Sequence, residues 1–284
     1  MEYVTLNNGI KMPLVGFGVF ELTPEETEEC VSNAIDCGYR LFDTAQAYYN
    51  EEFVGNAIKE AIENGKVKRE DLFITTKVWV TEFTYEKARE SILESLKKLQ
   101  LDYVDLVLIH QCLSDYYSAY HAMEDLYKEG KIKAIGISNF SAERMHDLYA
   151  FNEIKPTVNQ VETHLFFQQD YLNDWMKKLN VQHEAWGPLA QHRLKEIIDN
   201  PIVKEIAQNH SKTPVQVALR FNVQRGIVVI PKTKSIENMK SNIDIFDFAL
   251  TDEEMEKLKT LDENKSMWAE YDDPMIVKYA MEEE

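Results

Sequence analysis

Long apolar runs are missing from this sequence. None approaches the roughly 20 residues that a membrane helix requires. The opening MEYVTLNNGI has neither the basic start nor the apolar core of a secretory signal. Cysteine is scarce: Cys30, Cys37 and Cys112 are an odd number with no CxxC pair. That excludes a disulfide framework and a cysteine-built zinc site, and it fits reduced thiols in the cytoplasm. Basic residues are outnumbered, 31 Lys and Arg against 49 Asp and Glu, for a formal net charge of −18. No general affinity for nucleic acid or an anionic membrane is expected of such a chain. An anionic ligand would need a local basic pocket. Glycine motifs are lacking too. GFG at 16–18 is not followed by a third glycine opening a helix, so the dinucleotide fingerprint of an open, doubly wound sheet fails. There is no GxxxxGK phosphate loop, no HExxH, and no cluster with metal-ligand spacing, so no metal is expected.

What the chain does contain is a recurring unit, a short apolar strand followed by an amphipathic helix. VTLNNGIKMP carries the Asn-Gly of a tight hairpin. VGFG (15–18), RLFDT, LFITTKV, VDLVLIH, IKAIGISN, TVNQVE, VQHEAW and IVVIPKT read as eight strands. Helices are predicted over TPEETEECVSNAIDCG, with Thr23 as N-cap, Pro24 at the first position and Gly38 as stop. Others are predicted from about Glu51 to Asn64, over YEKARESILESLKKL, near AYHAMEDLYKEG, and over PIVKEIAQNH, TPVQVALRFNVQRG and TDEEMEKLKTL. Continuous apolar strands are the mark of a parallel sheet covered on both faces. Eight such units, with no linker rich in Pro, Gly or Ser, predict one α/β domain over residues 1–284, a closed (β/α)8 barrel.

Chemistry in such a barrel gathers at the C-terminal ends of the strands. The strand ends supply Asp43, Lys77, His110, Ser138 with Asn139, Asn159 with Gln160, Glu184 with Trp186, and Lys232. Taken singly, each has an ordinary explanation: Asp43 as a turn residue, Lys77 reaching solvent, His110 as a rim residue, Trp186 as core. Taken together, a carboxylate, an ammonium and an imidazole at equivalent places on adjacent strands are costly for stability. A tyrosine follows closely in LFDTAQAYYN, either Tyr48 or Tyr49. A phenol, with a pKa near 10 in water, becomes a useful proton donor beside a cation. Lys77 would be that cation, Asp43 its counter-ion, and His110 the group that orients a substrate oxygen. The set fits protonation of a carbonyl oxygen while hydride arrives at carbon.

These residues carry a resemblance. FDTAQAYYNEEFVG, ITTKVW, VDLVLIHQ, GISNF, VNQVE and VVIPKT resemble the corresponding segments of the aldo-keto reductases over essentially the whole chain. EAWGPLA, with Trp-Gly where many members have Tyr-Ser, is similar to the prokaryotic diketogluconate reductase and prostaglandin F synthase-like branch. The resemblance implies a barrel that binds NADP(H) across the strand ends and reduces aldehydes or ketones. It assigns the proton donor to Tyr48, with Asp43, Lys77 and His110 completing a tetrad. It places Ser138, Asn139 and Gln160 on the nicotinamide carboxamide and Trp186 against its ring. Gly187, Leu189, Lys232, Thr233, Lys234, Asn238 and Asn242 fall in the other cofactor segments. It also implies a small carbonyl substrate and a monomer.

Departures from the family pattern bear on the cofactor. Asn238 stands where many members have an arginine for the adenosine 2′-phosphate, and Ser241 where a glutamate is expected. NADH is therefore expected as a possible second cofactor, with Lys232 and Lys234 supplying the local basic pocket. Cys112 replaces a usual proline after His110 and is expected to alter that loop rather than the chemistry. Phe20, Tyr49, Trp79 and Trp268 are the expected substrate walls beside His110, under a lid from Lys265 to Glu284 with Tyr271 as a further contact and helical potential at MIVKYAM. The short CLSDYYS loop predicts an open site. Two alternatives stay open: a cofactor-free barrel isomerase, which would not bind NADPH, and a non-catalytic NADP(H)-binding barrel, which would bind it without turnover.

Overall fold

The computed structural model describes residues 1–268 and 273–282. A hairpin comes first. Strands β1 (Tyr3–Thr5) and β2 (Lys11–Pro13) pair antiparallel, with Val4 opposite Met12. The Leu6 N–H donates to the Ile10 carbonyl at 2.8 Å. Gly9 turns the chain at φ +88, a left-handed conformation that a residue without Cβ adopts freely.

Parallel strands follow: β3 (Phe17–Gly18), β4 (Leu41–Asp43), β5 (Phe73–Val78), β6 (Val104–Ile109), β7 (Ile132–Ser138), β8 (Val158–Glu162), β9 (Gln182–Trp186) and β10 (Val228–Val229). They are hydrogen-bonded in chain order. The two edges then meet: Val15 bridges Val229 in parallel, the Gly16 N–H donates to Val229 O at 2.8 Å, and the Val229 N–H donates to Leu14 O at 3.0 Å. The sheet is therefore closed into the expected (β/α)8 barrel. Leu6 and Met12 of the hairpin share one apolar cluster with the inward residues Leu41, Phe73, Leu106, Leu108 and Val158, so the hairpin plugs the N-terminal end.

The helices are α1 (Pro24–Asp36), α2 (Glu51–Glu63), α3 (Tyr85–Leu99), α4 (Tyr116–Lys128), α5 (Ala142–Phe151), α6 (Asp170–Leu179), α7 (Leu194–Asp199), α8 (Pro201–Asn209), α9 (Pro214–Gln224), α10 (Ile236–Ile243), α11 (Asp252–Lys259) and α12 (Met275–Glu282). Their starts are written in the side chains. Thr23 Oγ1 accepts from the Glu26 N–H, and Glu26 returns a bond to the Thr23 N–H, a capping box with Pro24 at the first turn. Thr213 with Gln216 and Thr251 with Glu254 repeat the device. The outer core lies between these helices and the outward faces of the strands.

Three differences from expectation have local causes. The last strand is short, Val228–Val229, because Pro231 lacks the N–H that would extend its ladder; Lys232 lies in the loop beyond. Helix α4 starts at Tyr116 because Asp115 caps the Ser118 N–H at 3.3 Å, which shortens the loop after His110 further. Helices α5, α6, α7 and α10 were not marked out by the sequence pattern. The expected helix at MIVKYAM is α12, with Ile276 and Ala280 buried. Tyr271 lies outside the described residues. Among the described residues no helix is long and apolar enough to cross a membrane.

Candidate active site

Inward positions alternate along each strand, so a residue two places beyond an apolar one occupies the next layer of the barrel interior. Leu41 is followed in this way by Asp43, Phe73 by Thr75 and Lys77, Val158 by Gln160 and Glu162. The lower layer is apolar and the upper one polar. A single polar patch therefore forms at the C-terminal mouth.

Lys77 is wholly buried. Its ammonium has three donors, and it spends them on Asp43 Oδ1 at 2.5 Å, the Thr44 carbonyl at 3.1 Å and the Tyr48 hydroxyl at 3.2 Å. Burial pushes such an ammonium towards deprotonation, but Asp43 and the Tyr48 oxygen outweigh it and hold Lys77 above the ordinary lysine value. Tyr48 ends a 3-10 turn, Gln46–Tyr48, and Tyr49 then takes a left-handed φ of 55°. That reversal separates the two phenols. Tyr48 faces the cavity with its ring 4.9 Å from Phe20 and 5.6 Å from His110. Tyr49 is 70% exposed and does not line the cavity, so the substrate wall expected there is absent.

His110 follows β6, with its N–H donating to Val78 O at 3.1 Å. Its Nδ1 is buried without a hydrogen-bond partner, which leaves Nε2 as the ring nitrogen toward the cavity. Burial, then the Lys77 charge, pushes the imidazole well below its usual pKa, so it is neutral at pH 7. Trp79 packs edge-on against it at 4.9 Å.

The next group surrounds Gln160. Its Nε2 donates to Asp43 Oδ2 at 2.8 Å and to Glu184 Oε2 at 2.9 Å. Both amide hydrogens are thereby used, and the carbonyl oxygen is left for the cavity. Ser138 Oγ donates to the Gln160 main-chain carbonyl at 2.8 Å. Asn139, in a left-handed conformation at φ 65, donates through Nδ2 to His110 O and to Gln111 Oε1, both at 3.1 Å. Its Oδ1 accepts from Trp186 Nε1 at 2.8 Å. Asn159 turns outward and donates to Phe140 O.

Glu184 went without a role in the sequence reading, although its place at a strand end was visible. It is fully buried, with Oε1 unpartnered. Burial and then the Asp43 charge push it up to about 8, against the Gln160 hydrogen bond and Lys77. Asp43 and Lys77 compensate each other, so Glu184 is the carboxyl of this patch that stays protonated at neutral pH.

These groups floor a cavity of about 550 Å³. Asp43, Tyr48, Trp79, His110, Ser138, Asn139, Gln160, Trp186, Gly187, Leu189, Lys232, Phe20 and Trp268 all line it. So do Gln111 and Ile230, which fall inside the quoted VDLVLIHQ and VVIPKT segments without a role of their own, and Gln191 and His192, which no sequence motif singled out. Thr233, Lys234, Asn238 and Asn242 lie beyond its edge. Thr233 Oγ1 accepts the Ser235 N–H, Asn238 sits in the first turn of α10, and Asn242 is buried in that helix. The basic pocket expected from Lys232 and Lys234 is neutralised in place. Lys232 pairs with Glu21 of the β3–α1 loop at 3.0 Å, and Lys234 with Glu26 in the first turn of α1 at 2.6 Å. Burial pushes the Cys112 thiol up, so it stays protonated and serves as packing.

A barrel with this polar floor is the architecture of a family of carbonyl-reducing enzymes. The family model for the aldo/keto reductase family matches residues 15–263. The chain belongs to that family, and it is an oxidoreductase. It is 45% identical over 266 residues to the glyoxal reductase of Bacillus subtilis (strain 168), covering 93% of this chain and 94% of that protein. It is 39% identical over 267 residues to the methylglyoxal reductase DkgA of Escherichia coli (strain K12), covering 93% and 94%. The crystal structure of MGS-M4, an aldo-keto reductase from a Medee basin deep-sea metagenome library, superposes with a TM-score of 0.92 at 43% identity, over 95% of this chain and 98% of that one. Family membership, together with the glyoxal and methylglyoxal reductases among the relatives, supports the oxidoreductase reading over both the isomerase and the non-catalytic alternatives.

Proposed function

We propose that the protein, folded as one barrel domain, reduces small vicinal dicarbonyl compounds and simple aldehydes, with NADP(H) as hydride source and Tyr48 as proton donor. The observation that carries this reading is the Lys77 ammonium, buried, held by Asp43 at 2.5 Å and donating to the Tyr48 hydroxyl at 3.2 Å. The named activities of the glyoxal and methylglyoxal reductases support the substrate class.

The cavity fits a nicotinamide chemically. A carboxamide needs an acceptor and a donor. Gln160 has its carbonyl oxygen available because its amide nitrogen is held by two carboxyls, while Ser138 and Asn139 stand beside it. Trp186, lining the wall, offers the aromatic face, and Lys232 the cation at the far end. When bound, the reduced nicotinamide would supply the hydride to the carbonyl carbon. The rest falls to the chain. Neutral His110 donates through Nε2 to the carbonyl oxygen and orients it. The ammonium of Lys77 makes the Tyr48 phenol a stronger acid, and its proton passes to the same oxygen as negative charge develops there. Asp43 keeps Lys77 charged. Phe20, Trp79 and Trp268 exclude water from the reacting carbon.

NADPH is the preferred cofactor in this reading, and NADH is accepted. The pairing of Lys232 with Glu21 and of Lys234 with Glu26, with Asn238 in place of an arginine, leaves little uncompensated positive charge for a 2′-phosphate. The test is oxidation of NADPH and of NADH, followed separately with methylglyoxal and 4-nitrobenzaldehyde, alongside fluorescence titration of both cofactors. Turnover with both aldehydes, and a modest NADPH preference, are expected. Cofactor binding without turnover on either would remove the proposal.

A further inference from the structure

Beside the catalytic patch stands a second buried carboxyl system that the proposed chemistry does not use. Glu162 ends β8, in register with Trp186 on β9, and is wholly buried. No lysine or arginine pairs with it among the described residues. Its Oε1 accepts the Met267 N–H at 2.8 Å and the His164 Nε2–H at 3.0 Å, and its Oε2 accepts the Ser266 hydroxyl at 2.5 Å. His164 Nδ1 accepts the Phe166 N–H at 3.2 Å, which leaves the Nε2–H to donate to Glu162. Both carboxyl oxygens are thus engaged by hydrogen-bond partners. Two of the three bonds span more than a hundred residues to the C-terminal segment. There the Trp268 N–H donates to Ser266 Oγ at 3.1 Å, and Trp268 lines the mouth of the cavity. Met267 packs against the cluster of Leu165, Phe166 and Leu258.

A buried carboxylate without a cation is costly unless its position serves something. We propose that Glu162 is a specificity-determining positioning residue: it latches the C-terminal segment at Ser266 and Met267 and thereby sets where Trp268 stands over the substrate. The geometry argues for selection rather than chemistry. Glu162 makes no hydrogen bond to Lys77 or Tyr48; its side-chain bonds run to Ser266 and Met267 of the C-terminal segment and to His164 in the loop after β8. Releasing the latch widens the mouth. Bulky aromatic carbonyls that contact Trp268 lose affinity, while a three-carbon dicarbonyl that sits below it does not. The effect on specificity rests on the reductase reading; the latch itself does not, so the two are measured separately.

The experiment compares wild type with Glu162→Gln, which places a donor where an acceptor is required, and with Ser266→Ala, which removes the lid side of one bond and leaves the barrel intact. The first readout is hydrogen exchange of the Met267 amide in the free protein. Roughly tenfold faster exchange is expected in Glu162→Gln and a smaller rise in Ser266→Ala; unchanged exchange in both overturns the latch. The second is KM and kcat for 4-nitrobenzaldehyde and methylglyoxal with NADPH. KM for the aromatic substrate should rise several-fold with kcat nearly kept, methylglyoxal should be little affected, and NADPH affinity should be unchanged. The third is a double-mutant cycle: in a Trp268→Ala background, Glu162→Gln should have no further effect on the aromatic KM. Equal, additive losses on both substrates would overturn the specificity role even if exchange had risen.

Discussion

Replacing Glu184 by glutamine should make the protein more stable at alkaline pH, and the size follows from the site. In the folded chain Glu184 is pushed from the ordinary 4.5 up to about 8, by burial first and by Asp43 second. Between these two values the native state holds a proton that the unfolded chain releases. Stability then falls as pH rises, because the native state binds more protons than the unfolded one. The contribution is whole below about 4.5 and is lost as pH passes through about 8. Integrated over that window at about 1.36 kcal/mol per unit, the loss is on the order of 4 kcal/mol. The glutamine side chain of the variant binds no proton, is nearly isosteric, and can accept the same bond from Gln160. The groups with other shifts, including Asp105 and Glu51 raised by burial and His183 lowered by it, are common to both proteins and largely cancel in the difference. The assay is urea unfolding at half-unit steps from pH 5 to 8.5. Wild type and Glu184→Gln should agree within about 1 kcal/mol at pH 5, and the variant should lead by about 4 kcal/mol at pH 8.5. Parallel curves across the range would refute the assignment of a protonated Glu184.

Lys77→Met should leave Asp43 buried with Gln160 as its remaining side-chain donor, at a cost of about 3–5 kcal/mol in urea unfolding, together with loss of turnover. An unchanged midpoint would show that the pair does not matter to folding. Glu26→Gln frees Lys234 from its partner and should tighten NADPH roughly two- to fivefold relative to NADH, as read by fluorescence titration, an effect that added salt should erase. Gly136→Ala puts a Cβ 2.7 Å from both the Val158 carbonyl and Leu108 Cδ2, inside the barrel wall. It should destabilise by about 1–3 kcal/mol through overpacking, and a neutral result would mean that β7 and β8 can separate locally.

Much of the barrel was legible because its strands and caps are local. Leu41, Phe42 and Asp43 announce both a buried strand and the point where its interior turns polar, and Thr23 with Pro24 marks a helix start without reference to anything distant. The positions of Asp43, Lys77, His110 and Gln160 at one mouth follow from closure and alternation alone. The choice between Tyr48 and Tyr49 did not follow from residue chemistry; it is made by a left-handed residue at position 49, and the family resemblance had to stand in for it. The remaining differences are long-range. Lys232 and Lys234 read as a basic pocket in the sequence because Glu21 and Glu26 stand more than 200 residues away. Glu162 read as the end of a strand because its donors, Ser266 and Met267, arrive from the far end of the chain. Glu184 could not be found by charge counting at the strand ends, because Lys232 balances it on paper; only the fold shows that Lys232 pairs with Glu21 instead.

The most direct test of the account is Tyr48→Phe, which removes one oxygen from beside Lys77 and little else. Single-turnover oxidation of NADPH by methylglyoxal should slow by about 10²–10⁴-fold, while NADPH affinity measured by fluorescence stays within about twofold of wild type. Equal rates in the two proteins would contradict the claim that an acidified Tyr48 phenol delivers the proton.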